Sequence, residues 1–432
     1  MRRVGGHTRL IVVSAAVIGP LLLLSACSDS GDESAPASSD AVVYEGARVL
    51  TGDGSVIDDA VFVVEGDRFA AVGPRGDVEA PEGARRVDLS GMTVMPAIVN
   101  AHVHLSSDPL ERAEQQRHMA YYGAGTVLSL GLDEDETAFE MRGATVSGGV
   151  RTLTAGRGIT SPEPGRTEVP YWVTTEEEAR EAVREVAEQD VDLVKIWVDD
   201  RNGQYERLSP ELYGAVIDEA HQHGLQVAAH VFTLEDAKGL LRAGIDAFAH
   251  GIRDMDIDDE LVELWTARRN VVLIPNLPGP GVAITDLDWL SGTVAAEEIA
   301  EMKASAQARP AAQAAFAIQA RNLDRLDEEG INIAFGTDGS TPWAVHQELE
   351  DMVRAGMAPG DVIVAATRNA ADFLGLSDVG RIATGASADF VVLEANPLDD
   401  ITNTRRIDSV YLRGAAMDRA GFSEEALAGS GQ

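Results

Sequence analysis

Residues 95–105 read Met95-Pro96-Ala97-Ile98-Val99-Asn100-Ala101-His102-Val103-His104-Leu105, an apolar run carrying two histidines two positions apart. Side chains on a strand alternate between faces, so His102 and His104 leave the same face with their rings adjacent. Two imidazoles held side by side make half of a metal site. A bare His-x-His also fits a strand whose histidines only pack or hydrogen-bond, and the rest of the chain has to decide between the two.

Downstream of Pro96, apolar strands alternate with longer amphipathic segments. Strands are expected at 97–104, 126–130, 150–155, 193–198, 226–231, 247–250, 271–275 and 332–335. Helices are expected between them at 175–188, 210–223, 234–243, 258–268 and, as one long element, 295–329. Eight strands in this rhythm predict an α/β fold built as a parallel (β/α)8 TIM barrel, with a doubly wound open sheet as the competing architecture. Barrel enzymes carry their chemistry where strands end. Distinctive residues fall at those ends: His102 and His104 on the first strand, Lys195 in the fourth, His230 and His250 closing the fifth and sixth, and Asp338 just past the eighth.

Each of these has a plainer explanation when taken alone. A histidine at a strand end can be structural, Lys195 could snorkel outward, and Asp338 in Gly-Thr-Asp-Gly could be a turn former. Six coinciding at one rim argue for a site. The other histidines serve as a control. His221 and His223 share the His-x-His spacing but close a helix ahead of Gly224, where positions two apart do not face each other. His118 is expected to be structural, and His346 to be a helix start or a pocket wall.

Before the barrel, short β-rich runs between Ala41 and Met95 are punctuated by Gly52-Asp53-Gly54, Glu65-Gly66-Asp67 and Gly73-Pro74, the mark of a small antiparallel unit. Residues 28–40 have a tether's composition. The first 26 residues resemble a secretory leader, with Arg2, Arg3 and Arg9 ahead of an apolar run ending in Leu24-Ser25-Ala26-Cys27. That ending resembles a bacterial lipobox. It implies cleavage before Cys27, lipidation of that cysteine, and a membrane-anchored lipoprotein of the cell envelope outside the cytoplasm. A retained transmembrane helix is the rival, but the run is interrupted by Pro20 and is shorter than the ~20 residues a span needs. Cys27 is the only cysteine, so the domain has neither a disulfide nor a thiol nucleophile.

Composition excludes one class of partner. The chain has 432 residues, and 71 Asp and Glu against 35 Lys and Arg give a formal charge of −36, which repels nucleic acid. The 45% hydrophobic content suffices for a large core.

Together these motifs resemble the amidohydrolase superfamily of metal-dependent hydrolases. The resemblance is carried by Met95 to His104, by Asp192-Leu193-Val194-Lys195-Ile196, by Gly336-Thr337-Asp338, and by Arg368 to Ala371 with Gly380 to Leu393. It implies a barrel over residues 96–376 and a composite β-sandwich formed from 41–95 and 377–418. Residues 150–160 and 346–349 are similar to the branch containing imidazolonepropionase and prolidase-like dipeptidases. Ala97 and Asn100 depart from that family's usual Gly and Asp, and Val127-Leu128-Ser129-Leu130 stands where the dipeptidase relatives have an Arg-Asp pair.

The resemblance implies a ligand set. One divalent metal would be held by His102, His104 and Asp338 and a second by His230 and His250, most simply two Zn²⁺ bridged by Lys195 carboxylated on Nζ and by a hydroxide. A single metal with unmodified Lys195 is the alternative. Asp338 would be the catalytic proton acceptor. The implied activity is hydrolysis of a peptide-type C–N bond in a small molecule, a dipeptide or N-acyl amino acid. A lactone, ester, carbamate or cyclic amidine is the alternative substrate, and a non-catalytic solute-binding lipoprotein the alternative role. Arg157, Arg166, Arg201, Arg253 and His346 lie on catalytic-face loops as candidates for substrate contact, and Tyr171 and Trp172 as candidate pocket walls. Residues 419–432 read as a frayed acidic tail.

Overall fold

A computed structural model of the chain describes residues 41–143 and 146–429. The leader, Cys27 and the tether lie outside the described residues. Five strands open the fold: β1 (Val42–Leu50), β2 (Val56–Glu65), β3 (Arg68–Pro74), β4 (Arg85–Asp88) and β5 (Thr93–Pro96). The barrel follows with β6 (Ile98–Val103), α1 (Pro109–Tyr121), β7 (Ala124–Ser129), α2 (Glu136–Gly143) and β8 (Arg151–Thr154). Next come β9 (Ile159–Thr160), β10 (Tyr171–Trp172), α3 (Glu176–Glu188), β11 (Val194–Val198), α4 (Pro210–Gln222), β12 (Val227–Val231), α5 (Leu234–Ala243) and β13 (Ala247–Ala249). The barrel ends with α6 (Asp259–Thr266), β14 (Val272–Ile274), α7 (Ala296–Ser305), α8 (Pro310–Glu328), β15 (Asn332–Ile333) and α9 (Ala344–Arg354). After α10 (Pro359–Val364) and α11 (Ala370–Phe373), β16 (Phe390–Leu393), β17 (Ile407–Leu412), β18 (Ala415–Ala416) and α12 (Arg419–Gly429) complete the chain.

Strands from both ends of the chain share one eight-stranded sheet, ordered β18-β17-β16-β5-β1-β2-β3 with β4 beside β1. An antiparallel bridge between Arg68 and Ser387 draws β3 back toward the β16 segment, so the sheet curls on itself. Inside the curl, Tyr44 stacks on Phe62 at 4.8 Å and Phe390 on Tyr411 at 4.4 Å. Edge-to-face contacts of Tyr44 and Phe62 with Phe390, at 5.4 and 5.3 Å, join the N-terminal strands to the C-terminal ones.

Strands β6, β7, β8, β11, β12, β13, β14 and β15 form the parallel barrel. Asp192 N donates to Thr154 O at 3.0 Å and Ala101 N to Phe335 O at 2.8 Å, and these bonds carry the sheet across its two breaks and close it. The interior is filled by small and branched side chains, among them Val99, Leu128, Leu193, Ala228, Ala247, Val272 and Ala334. Lys195 and His230 sit two residues beyond Leu193 and Ala228, so they leave the same inner face one layer higher.

Three sequence expectations fail. The N-terminal unit is mixed rather than antiparallel, because β1 pairs in parallel with β4 and β5. The single helix at 295–329 is two helices, because Pro310 has no N–H to continue a ladder and drives Arg309 into extended backbone (φ −122°, ψ 94°). The freed Arg309 N instead donates to Gly281 O at 2.7 Å, docking the break onto the loop after β14. Residues 419–429 are helical rather than frayed, and Phe422 is buried against His118 and Tyr121 at 5.3 and 5.7 Å between ring centroids.

Candidate metal centre

Five strands deliver the six predicted residues to one end of the barrel: β6 brings His102 and His104, β11 Lys195, β12 His230, β13 His250, and the turn after β15 Asp338. Asp338 is their hub. Its Oδ1 lies 3.0 Å from His104 Nε2 and 3.3 Å from His102 Nε2, and its Oδ2 lies 3.5 Å from His250 Nε2. One donor atom each from His102, His250 and Asp338 lies within 4.8 Å of the others, a spacing that suits ligands around one cation. His230 joins through its ring, 4.5 Å from that of His250.

The backbone is strained to aim these groups. His250, Asn276 and Asp338, each just past a barrel strand, hold φ values of 77°, 41° and 53°. Asn and Asp tolerate the left-handed region better than His, and each such residue costs roughly 1–3 kcal/mol that the surroundings must offset. The turn after β15 is also tight, since a Cβ on Gly336 would fall 2.8 Å from His102 Cβ.

Polar braces hold the ligands. Asn276 Oδ1 lies 2.8 Å from His102 Nδ1, which directs Nε2 toward Asp338. Asn100 Oδ1 accepts from the backbone N of His102 and of Thr337, both at 3.2 Å, and Asn100 Nδ2 donates to Thr337 Oγ1 at 2.9 Å, tying β6 to the Asp338 turn. Asn100 therefore braces the site with both a donor and an acceptor.

Electrostatics prepare the imidazoles as ligands. Burial holds His102 and His250 well below the usual histidine range and His230 down at about 3, so all three are neutral at pH 7. Burial would raise Asp338, but His102, the His104 hydrogen bond and His250 outweigh it and hold the carboxyl below the usual carboxylate range. Lys195 is fully buried, its Nζ has no hydrogen-bond partner, and burial brings its ammonium down to about 7. An orphaned buried amine is costly. Neutral imidazoles, an ionised carboxylate and an amine poised to lose its proton are a donor set that fits a divalent cation.

The mouth of the site is a cavity of about 280 Å³ lined by His104, Leu132, Arg166, Thr167, Trp197, His230 and Asp338. A larger groove of about 600 Å³ between α1, β18 and α12 holds none of the ligands.

Most of the candidate substrate contacts are committed elsewhere. Arg201 Nη1 pairs with Asp199 at 2.7 Å and also lies 3.2 Å from His230 Nε2, while Arg201 Nε pairs with the buried Glu163 at 2.9 Å. Arg157 Nε donates to Val169 O at 2.5 Å, and its guanidinium covers the Tyr171 ring at 3.9 Å. Tyr171 thus backs Arg157, and neither it nor Trp172 lines the cavity. His346 is not a pocket residue: it is buried under Tyr122 and Trp289, its Nδ1 3.1 Å from Thr404 Oγ1, because α9 turns it toward the helix layer. His221 Nε2 lies 2.8 Å from Asp246 at the end of α4, and His223 Nε2 lies 3.6 Å from Glu219. Sequence reasoning missed Asn276, Asp199 and Glu163. An Asn directly after Pro275 at a strand end was the only signal available for the first.

Residues 93–417 match the amidohydrolase family. The chain belongs to that family. It is accordingly a hydrolase acting on carbon–nitrogen bonds. Among curated relatives, the ochratoxinase of Aspergillus niger is 25% identical over 425 residues, covering 83% of this chain and 82% of the relative. The imidazolonepropionase of Streptomyces coelicolor is 27% identical over 391 residues, covering 83% and 93%. Among solved structures, a Xaa-Pro dipeptidase with bound methionine in its active site superposes with a TM-score of 0.70 at 23% identity, covering 87% of this chain and 99% of that one, a likeness of fold.

Proposed function

We propose that this amidohydrolase cleaves the amide bond of a dipeptide or N-acyl amino acid at the β6–β15 rim. The reading is carried by one observation: Asp338, within 3.5 Å of His102, His104 and His250, shares the rim with a buried Lys195 whose Nζ has no hydrogen-bond partner. His102, His104 and Asp338 would hold one zinc ion and His230 and His250 a second, with Lys195, carboxylated on Nζ, shared between them. Bound metal would supply Lewis acidity toward a carbonyl oxygen and a lowered water pKa.

The chain's own groups account for the remainder. Asp338 is ionised and its side chain is 38% exposed to the cavity, so a carboxylate oxygen can accept a proton from attacking water and return it to the departing nitrogen. Asn276 and Asn100 keep His102 from swinging. Trp197 and Leu132 wall the cavity with apolar surface that limits access of bulk water.

One observation favours the single-ion alternative. The His230 Nε2 atom is engaged by Asp199 Oδ2 and Arg201 Nη1, both at 3.2 Å, and the second ion would require those contacts to open. Metal analysis of protein purified without added metal separates the two: about two equivalents with a carbamate mass on Lys195 supports the pair, and one equivalent with an unmodified lysine removes it. Chelation should abolish turnover of Xaa-Pro, Xaa-Arg and N-acyl probes. Cleavage of lactone or phosphotriester controls without any amide would overturn the amide reading.

We extend the proposal to location. Leu24-Ser25-Ala26-Cys27 supports lipidation of Cys27 and anchoring outside the cytoplasm. Metabolic labelling with a fatty acid should mark the wild type and leave C27S unmarked.

A further inference from the structure

Arg253 follows the proposed ligand His250 by three residues, and the chemistry above gives it no role. Its guanidinium lies 3.2 Å from the centroid of the Phe232 ring, and that ring lies 4.3 Å from His230 and 5.0 Å from His250. The backbone N of Arg253 donates to Phe232 O at 3.0 Å, which pins the root of the side chain to the end of β12. Among the described residues the guanidinium has no hydrogen bond or ion pair, whereas Arg157, Arg166 and Arg201 are held by Val169 O, by Glu163, and by Asp199 with Glu163. Asp199 and Asp338 act on its charge through space, which puts it beside the proposed ligands, just outside the side chains that line the 280 Å³ cavity.

A cation clamped by one flat face, with its edge donors unspent and one aromatic ring between it and two ligand histidines, is arranged to receive a planar anion. We propose that Arg253 takes the substrate's carboxylate in a two-pronged hydrogen bond, so that the site selects amides with a free carboxylate beside the scissile nitrogen, a role that rests on the amide-hydrolysing reading above. Arginine suits this better than lysine because its fork matches a carboxylate while its face stays stacked. Arg166 is the arginine that lines the cavity itself, but it shares Glu163 with Arg201, so its charge is already balanced.

The test uses the zinc-loaded full chain with Ala-Pro, Ala-Arg and N-acetyl-alanine, each paired with its C-terminal carboxamide. Wild type should prefer the acids, and Arg253→Gln should lower the acid-to-carboxamide ratio of kcat/KM by about 10- to 100-fold, chiefly through KM on the acids. Arg253→Lys, which keeps the charge and loses the fork, should fall between the two. Zinc content equal to wild type shows that the ligands are undisturbed, and a measurement on unaltered protein covers misfolding of both variants: free alanine and proline should inhibit, and their amides should not. Wild type that cleaves amides without preferring the acids, or R253Q that keeps the wild-type ratio, overturns this role alone. Absence of amide cleavage in wild type overturns the functional reading together with it.

Discussion

A Cβ placed on Gly131 would fall 2.7 Å from Lys195 Cγ and 2.8 Å from the edge of Trp197. Gly131 also holds φ +95°, so any side chain there meets both backbone strain and a clash. The glycine at the end of β7 is therefore what lets the lysine stem rise past the strand. Gly131→Ala should lose about 2–4 kcal/mol of stability and push Lys195 off its position. Denaturant unfolding together with zinc stoichiometry would show it. A variant with native stability and full zinc would mean that Lys195 does not depend on this gap.

Asn276 meets His102 across 174 positions of sequence, Oδ1 to Nδ1 at 2.8 Å. Partners of this kind set which imidazole nitrogen carries the proton, and their loss typically weakens metal binding about 10- to 100-fold. Asn276→Ala should show that loss in competition with a zinc-binding dye while its folded circular dichroism is retained. Asn276→Asp should bind at least as tightly as the wild type, because a carboxylate accepts the same N–H more strongly. Equal zinc affinity in all three proteins would leave Asn276 as a turn residue only.

The barrel and its rim were legible because both are written in local code. A period of two in the strands fixes which side chains share a face, and the barrel rule fixes where strand-end residues meet, so the rim positions of Lys195 and Asp338 follow from the order of residues. His102 instead reaches the site across a register shift in β6 between Asn100 and Val103, after Val99 and Ala101 have turned inward. Asn276, Gly131 and Glu163 act only through distant partners, and no spacing in the sequence marks them. The break between α7 and α8 was hidden by an alanine-rich stretch that keeps helical periodicity across it, with Pro310 as the one local sign. Glu424 and Glu425 gave the C-terminus the composition of a solvated tail, while Phe422 supplied an anchor whose socket is built by α1.

His118 gives a stability signal that can be separated from catalysis. Burial holds its imidazole at about 4, against 6.5 for an unburied histidine, and its Nε2 has no partner. The folded state therefore resists protonation, while the unfolded state takes up the proton as pH falls through 6.5. Stability is unaffected by this group above that pH and is lost progressively between 6.5 and about 4. His118→Phe should remove the loss, gaining roughly 2 kcal/mol on wild type between pH 8 and pH 4.5 in urea unfolding of the metal-free proteins. A wild-type-to-variant difference that stays constant across that range would rule out a buried neutral histidine at this position.

The docking of α12 can be tested by the same measurement. Phe422 is 7% exposed and packs against His118 and Tyr121, and the Arg419 guanidinium covers the Tyr121 ring at 4.2 Å. Phe422→Ala should lose about 2–4 kcal/mol, the range for an aromatic removed from a packed site that relaxes only in part. Truncation after Asp418 should lose at least as much, because it also uncovers Tyr121, whereas Glu424→Gln and Glu425→Gln should change stability by less than about 0.5 kcal/mol. The pattern matters more than any single value. If the segment only lent charge to the surface, the glutamine variants and Phe422→Ala would be indistinguishable and the truncation would melt with the wild type. If it is the lid of the α1 aromatic cluster, the phenylalanine carries the effect and amide exchange in α1 rises with the truncation.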